Sequence, residues 1–212
     1  MKILYACVVV ARSIMIVVVN KFMKIILGSK SEGRKRMMEE MGYEFDVLVA
    51  DIDEKAIRFD DPKELTINIA KAKASELKDK ISEPAILITS DSVVVCNNEI
   101  LEKPQNKEEA RKFLEDYRYF PATVVSTVVV TNILSGKQVF DVDISTVYFS
   151  PFSEQEIIDF IKDGGVFNWA GGFGVDEDGW SEHIIKIDGC RDGVIGLPKD
   201  ITKRLISEVY VL

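Results

Sequence analysis

Nine residues at the ends of apolar runs carry the side chains that phosphoryl chemistry needs: Ser29, Ser31 and Arg34, the acids Asp51, Asp53 and Glu54, then Lys73, Asp91 and Lys103. The carboxylates offer hard oxygen ligands for a magnesium-like cation and a base that can take a proton from water. The arginine and lysines offer cations for phosphate oxygens. Singly, each reads as a surface charge. The stretch 25–36 is the most telling, because the apolar run Ile25-Ile26-Leu27 breaks into Gly28-Ser29 and then into a basic helix start. Free backbone N–H groups, hydroxyls and Arg34 can there face one anion, although an ordinary strand-turn-helix with a solvated first turn uses the same residues.

Those side chains need a scaffold, and composition bounds it. The 212 residues and 47% hydrophobic content suit one large or two small domains with ample core. A net charge of −8 argues against nucleic-acid polymers as partners and makes the cluster Arg34, Lys35, Arg36 locally conspicuous. Free nucleotides fit that balance better. Cys7, Cys96 and Cys190 are scattered, without metal-ligand spacing, which points to a reducing compartment and away from zinc. Cys96 and Cys190 are expected to be buried thiols. Residues 1–22 are apolar with Lys2, Arg12 and Lys21 as their only charges, and Arg12 interrupts any membrane span. They read as an upstream extension, either a weak targeting segment or a mis-called start, with the domain proper over 23–212.

Strand and helix patterns alternate from Lys24 onward. Ser31 can cap a helix ending near Gly42; Tyr43 to Ala50 alternates as a strand; Asp61-Pro62 opens a helix to about Lys78. Pro84 starts a buried strand through Ser90, which places Asp91-Ser92 at a strand's carboxyl end before a second apolar run, Val93 to Val95. Asn106 to Glu109 resembles a capping box, and the runs Thr123–Thr131 and Gln138–Phe149 flank the turn Ser135-Gly136 as a long hairpin. Ser153 to Glu156 is a second capping box for a helix ended by Gly164-Gly165. A glycine-rich wall (170–174), a strand near Ile184 to Ile187, a loop from Gly189 to Gly196 and a last helix follow. The fold class is therefore α/β, with a mixed, elongated sheet flanked by helices.

Familiar chemistries fall away on spacing. Gly28 and Gly33 have P-loop spacing but lack the Lys and Ser or Thr that must follow. Gly171-Gly172-Phe173-Gly174 lacks a dinucleotide fingerprint, Asp176 to Gly179 lacks the downstream ligands of a calcium loop, and His183, the sole histidine, reads as structural.

The order of motifs is itself recognisable. Leu27-Gly28-Ser29-Lys30-Ser31 with Arg34, Ala50-Asp51-Ile52-Asp53-Glu54-Lys55, Ala70-Lys71-Ala72-Lys73-Ala74, Ser90-Asp91-Ser92-Val93-Val94, Glu102-Lys103-Pro104, Trp169 to Gly174 and Val194 to Pro198 resemble the Maf family of nucleotide pyrophosphatases. The resemblance runs from about Met23 to the end. It implies two lobes around a nucleotide-binding cleft, hydrolysis of a nucleoside triphosphate to a monophosphate and pyrophosphate, a divalent cation cofactor (Mg2+ or Mn2+), a cytoplasmic location without firm membrane association, and a homodimer. Asp91 matches the catalytic aspartate, Asp51 a metal ligand or organiser beside it, and Ser29, Arg34, Lys73 and Lys103 the phosphate contacts. Departures bear on the base: Gly33 stands where a pyrimidine-specific branch has arginine, Ser92 where it has threonine, and Asp176 where it has glutamine. An acid at 176 resembles the branch acting on 7-methyl-GTP, because a carboxylate accepts where an amide can donate. The rival expectation is a nucleotide-binding regulator of cell division without turnover.

Overall fold

Aliphatic and β-branched runs build a seven-stranded mixed sheet. In the computed structural model, which describes residues 23–176 and 179–210, the strands are β1 (Lys24–Leu27), β2 (Asp46–Val47), β3 (Ala85–Cys96), β4 (Glu99–Leu101), β5 (Ala122–Asn132), β6 (Gln138–Phe149) and β7 (Ile184–Asp188). Their order is β2-β1-β3-β5-β6-β7, with β4 on β3. β1 is parallel to β2 and β3, and every other pair is antiparallel. The extension expected over 1–22 lies outside the described residues. No helix among the described residues is long and apolar enough to cross a membrane.

Among the described residues six α-helices flank the sheet: α1 (Glu32–Glu40), α2 (Pro62–Lys78), α3 (Lys107–Asp116), α4 (Glu154–Asp163), α5 (Arg191–Ile195) and α6 (Lys199–Tyr210). Their starts follow local chemistry. Ser31, Asp61, Asn106 and Ser153 each accept a first-turn backbone N–H, and Glu156 closes the reciprocal bond to Ser153. α4 ends at Gly164, whose φ of 85° is the left-handed stop that glycine adopts without strain.

Three elements differ from expectation. The strand expected over 43–50 shrinks to two residues, Asp46 and Val47, both exposed at the sheet edge; with no buried face there, alternation alone does not hold a longer strand. The loop expected over 189–196 contains α5. Most important, β3 does not stop at Ser90. Ten consecutive pairs with β5, from Ile86↔Asn132 to Val95↔Thr123, carry it straight through Asp91.

Apolar side chains gather on both sides of a polar belt. Around α3, α4 and the aromatic residues Tyr117, Phe149, Phe152, Phe173 and Trp180 lies one cluster; Leu27, Met37, Met38, Ile88 and Leu205 centre another. On the opposite face α2 lays Ala70, Ala74 and Leu77 against Ile26, Leu87 and Val129. The belt crosses the strands between these clusters in register, Ser92↔Ser126↔Asp143 and Asp91↔Thr127. Its buried hydroxyls are paired, as buried polar atoms must be: Thr66 and Thr127 share a 2.8 Å bond, Ser90 donates to the Gly196 carbonyl at 2.8 Å, and Ser145 donates to Asp143 at 2.7 Å.

The belt's far end is held by Gly189. Its φ of +117° and the approach of a built Cβ to within 2.5 Å of Ser145 Oγ and 3.0 Å of Ser145 Cα leave no room for a side chain. Gly189→Ala is expected to cost about 2–4 kcal/mol of stability, the sum of backbone strain and overpacking, read as a lower urea midpoint. His183 is structural, as expected: Nδ1 lies 3.1 Å from Ser150 Oγ, Nε2 3.2 Å from Glu156, and its ring packs on Phe152. Cys96 is buried, which pushes its thiol up to about 11, whereas Cys190 is partly exposed and not the buried thiol expected.

Candidate active site

Asp91 stands in mid-strand, yet beside the carboxyl end of its parallel neighbour. β1 pairs with β3 only from Lys24↔Ala85 to Leu27↔Ile88, so residues 89–92 run past the point where β1 has ended. There the chain turns through Gly28 and Ser29 into α1. A Cβ on Gly28 would sit 2.6 Å from Thr89 Cγ2 and 2.8 Å from Leu77 Cδ1, so only glycine lets that turn lie against β3. The gap above the end of β1 is the place where a short parallel strand meets a long antiparallel one.

Two carboxylates share one lysine in this gap. Lys73, buried on the sheet-facing side of α2, puts Nζ 2.8 Å from Asp91 Oδ1 and 3.2 Å from Glu54 Oε1. Thr66, seven residues earlier on the same helix face, is the residue bonded to Thr127, and this fixes the helix against the belt. Asp91 is 7% exposed. Burial raises its pKa above the ordinary carboxylate range, while Lys73 and Arg34 pull it back down.

The three acids over 51–54 separate. Asp53 accepts the Lys55 N–H and starts the 3-10 turn Glu54–Ala56, which aims Glu54 at Lys73. Asp51 is exposed and makes no hydrogen bond or ion pair among the described residues. Glu54 therefore occupies the place expected of Asp51. The resemblance points to Asp51 as the acid beside Asp91, whereas the turn geometry brings Glu54 there.

Arg34 faces inward. Nε donates to the Gly196 carbonyl at 3.1 Å, Nη1 to the Ser90 carbonyl at 2.9 Å and to Ser29 Oγ at 3.4 Å, and Nη2 to Ser92 Oγ at 3.1 Å. A guanidinium has five N–H donors, so most of this one is spent on the protein and little of it remains for a bound anion. Burial lowers its pKa, against the pull of Asp91 and Glu54. Ser29 Oγ also accepts the Ser31 N–H at 3.2 Å, so the two hydroxyls expected to face an anion shape the turn instead. Lys103 is exposed at the mouth; partial burial of its ammonium, then the neighbouring cations Arg34 and Lys30, lower its pKa. Lys30, which sequence reasoning left unassigned, thus belongs to the same cationic field.

None of the three residues expected to read the base is free. Gly33 lies against α5, where an added Cβ would come within 2.8 Å of Ile195 Cγ2. Ser92 is shared between Arg34 and Ser126. Asp176 Oδ1 accepts from both Nε and Nη2 of Arg191, at 3.0 and 2.7 Å, and Oδ2 is paired with Arg36.

The donor set suits a hard cation that arrives with its substrate. No group of three or more His, Cys, Asp or Glu among the described residues could hold a metal alone. Mg2+ binds through one or two carboxylates with phosphate oxygens and water supplying the rest, and Asp91 with Glu54 is such a pair. Altogether the site brings a buried carboxylate, a second acid and a ring of cations to one gap beside a helix start, an arrangement fitted to a polyanion and to proton removal from a water molecule.

Comparison with known proteins agrees with this chemistry. A family model described as "Maf-like protein" matches residues 24–209. The 7-methyl-GTP pyrophosphatase of Dictyostelium discoideum is 42% identical over 192 residues, covering 87% of this chain and 96% of that one. The dTTP/UTP pyrophosphatase of Clostridium beijerinckii is 34% identical over 188 residues, 88% of this chain and 100% of that one. Among solved structures, the Staphylococcus aureus Ham1 protein aligns with 88% of this chain and 96% of its own at a TM-score of 0.44 and 12% identity.

Proposed function

We propose, on the premise that this chain belongs to the Maf family, that it is a nucleoside triphosphate pyrophosphatase, hydrolysing a triphosphate to the monophosphate and pyrophosphate. The observation that carries this reading is the buried Asp91 held 2.8 Å from Lys73 in the gap at the end of β1. Asp91 takes a proton from water as that oxygen bonds to the α-phosphorus; the α–β bridging bond breaks and its electron pair leaves with pyrophosphate. Lys73 keeps the buried carboxylate ionised and aimed. Lys103 and Lys30 offset charge gathering on the leaving pyrophosphate, and Arg34 braces the turn that carries Ser29. Asp91 and Glu54 would hold a divalent cation, Mg2+ or Mn2+, which when bound neutralises phosphate oxygens. The catalytic unit is 23–212, with 1–22 an extension outside it; the reading also includes a cytoplasmic setting and a homodimer.

The substrate class is a modified triphosphate, with 7-methyl-GTP preferred over dTTP or UTP. The 42% identity to a 7-methyl-GTP pyrophosphatase supports this. Asp176 does not support it as a free counter-ion for a cationic base, since Arg36 and Arg191 already occupy it. Pyrophosphate release with Mg2+ against 7-methyl-GTP, GTP, dTTP, UTP and CTP tests the proposal. Fastest release from 7-methyl-GTP is expected. Binding of a nucleotide without release from any would favour the regulator instead.

A further inference from the structure

A chain of hydrogen bonds, partly buried at Arg34 and fully buried at Gly193, leads away from the site into the polar belt. Arg34 Nη2 donates to Ser92 Oγ at 3.1 Å; Ser92 and Ser126 hydroxyls lie 2.8 Å apart; Ser126 Oγ lies 2.8 Å from the Gly193 carbonyl. Donor arithmetic orders it. The Gly193 carbonyl can only accept, so the single Ser126 proton goes there and Ser126 must accept from Ser92, which is thereby left with lone pairs facing Arg34. The direction is fixed at one end by a guanidinium that can only donate and at the other by a carbonyl that can only accept.

Ser126 is fully buried in the middle of β5, and its hydroxyl bonds to Ser92 and Gly193 rather than to Asp91, Lys73 or Glu54. Its register partner on β3 is Ser92, and on β6 it is Asp143. α5, whose Gly193 it holds, ends at Gly196, and the Gly196 carbonyl accepts both Arg34 Nε and Ser90 Oγ. Of the four acceptors that hold the guanidinium, Gly196 lies at the end of α5 and Ser92 is linked to α5 through Ser126. Hydrogen bonds in such a chain polarise one another, so loss of one link is felt at the charged end.

We infer that Ser126 is a positioning residue for the proposed reaction: through Ser92 and α5 it sets the orientation of the Arg34 guanidinium beside the catalytic carboxylate. The inference rests on the pyrophosphatase reading for its kinetic consequence but not for its structural one. Without the Ser126 hydroxyl, the Ser92 proton loses its acceptor and turns elsewhere, the Gly193 carbonyl loses its donor, and the Nη2 bond to Ser92 weakens while Nε and Nη1 keep Gly196, Ser90 and Ser29.

Two measurements on the whole chain test it. In 15N-arginine-labelled protein without nucleotide, with the Arg34 resonance assigned by Arg34→Lys, the Arg34 guanidinium protons are expected to exchange with water at least about 10-fold faster in Ser126→Ala than in wild type, the equivalent of one lost bond to a charged group. In steady-state kinetics Ser126→Ala is expected to lower kcat/KM about 10-fold, and by less than about 2-fold in an Arg34→Ala background, the non-additivity of residues acting as one unit. Ser126→Cys, near in volume but a weak donor, is expected to shift both readings in the same direction and serves if the alanine variant fails to fold. Unchanged guanidinium exchange in a folded variant overturns the inference, and so does an equal kinetic loss in both backgrounds, which a merely structural role for Ser126 would give. Absence of pyrophosphate release from wild type would count against the pyrophosphatase reading alone; the exchange measurement would still decide the role of Ser126.

Discussion

Asp91→Asn is expected to lower kcat at least about 100-fold with little change in nucleotide binding, the usual range for removal of a general base. Asparagine keeps the shape and can still meet Lys73 through its amide oxygen, but it cannot take a proton. The fold should survive, because burial already raises the pKa of the native carboxylate, and a neutral amide carries no penalty for a desolvated charge. The pH profile adds an independent check. Wild-type kcat is expected to rise with pH as Asp91 ionises, over an interval lying above the ordinary carboxylate range; the residual activity of the variant should lack that rise. Circular dichroism and nucleotide titration alongside the kinetics separate loss of chemistry from loss of structure.

Lys73→Met should produce the second large effect, and one whose size depends on pH. Lys73 is the ammonium that two carboxylates share and the group that most strongly opposes the upward shift of Asp91. Without it Asp91 protonates more readily, so the rising limb of kcat/KM moves to higher pH and activity at neutral pH falls by about 100-fold or more. Stability follows linkage. A carboxylate whose folded-state pKa exceeds its unfolded value binds more protons when folded, so stability is lost as pH rises through that interval. The variant should therefore be less stable than wild type by about 3 kcal/mol at pH 8, the cost of leaving a buried charge without its partner, and nearly equal at pH 5. Urea unfolding at the two pH values measures the difference. An equal loss at both would mean that Lys73 contributes by packing alone.

Much of this architecture is written in local chemistry that a sequence displays. Ser31, Asp61, Asn106 and Ser153 announce helix starts through side-chain oxygens placed for the first free N–H groups, and the long β5–β6 hairpin follows from a β-branched run and Gly136, whose φ of 74° needs glycine. The charged residues of the site were legible by type, and Asp91 and Lys73 do meet. What was hidden depends on non-local contact. Nothing in residues 85–96 says that β5 will pair along ten positions and carry β3 past the end of β1, so Asp91 looked like a strand terminus. Asp51, Asp53 and Glu54 are alike until a 3-10 turn points one of them at Lys73. Arg34 looked like a phosphate clamp because its four acceptors, Ser29, Ser90, Ser92 and Gly196, come mostly from chain far from it. Asp176 looked like a free acid because Arg36 and Arg191 approach it from two other helices.

The most direct test of the central claim is product identification with 7-methyl-GTP, Mg2+ and 18O-labelled water. The account predicts 7-methyl-GMP bearing one 18O, together with unlabelled pyrophosphate, because water attacks the α-phosphorus. Release of orthophosphate with 7-methyl-GDP, or label in the pyrophosphate, would contradict it.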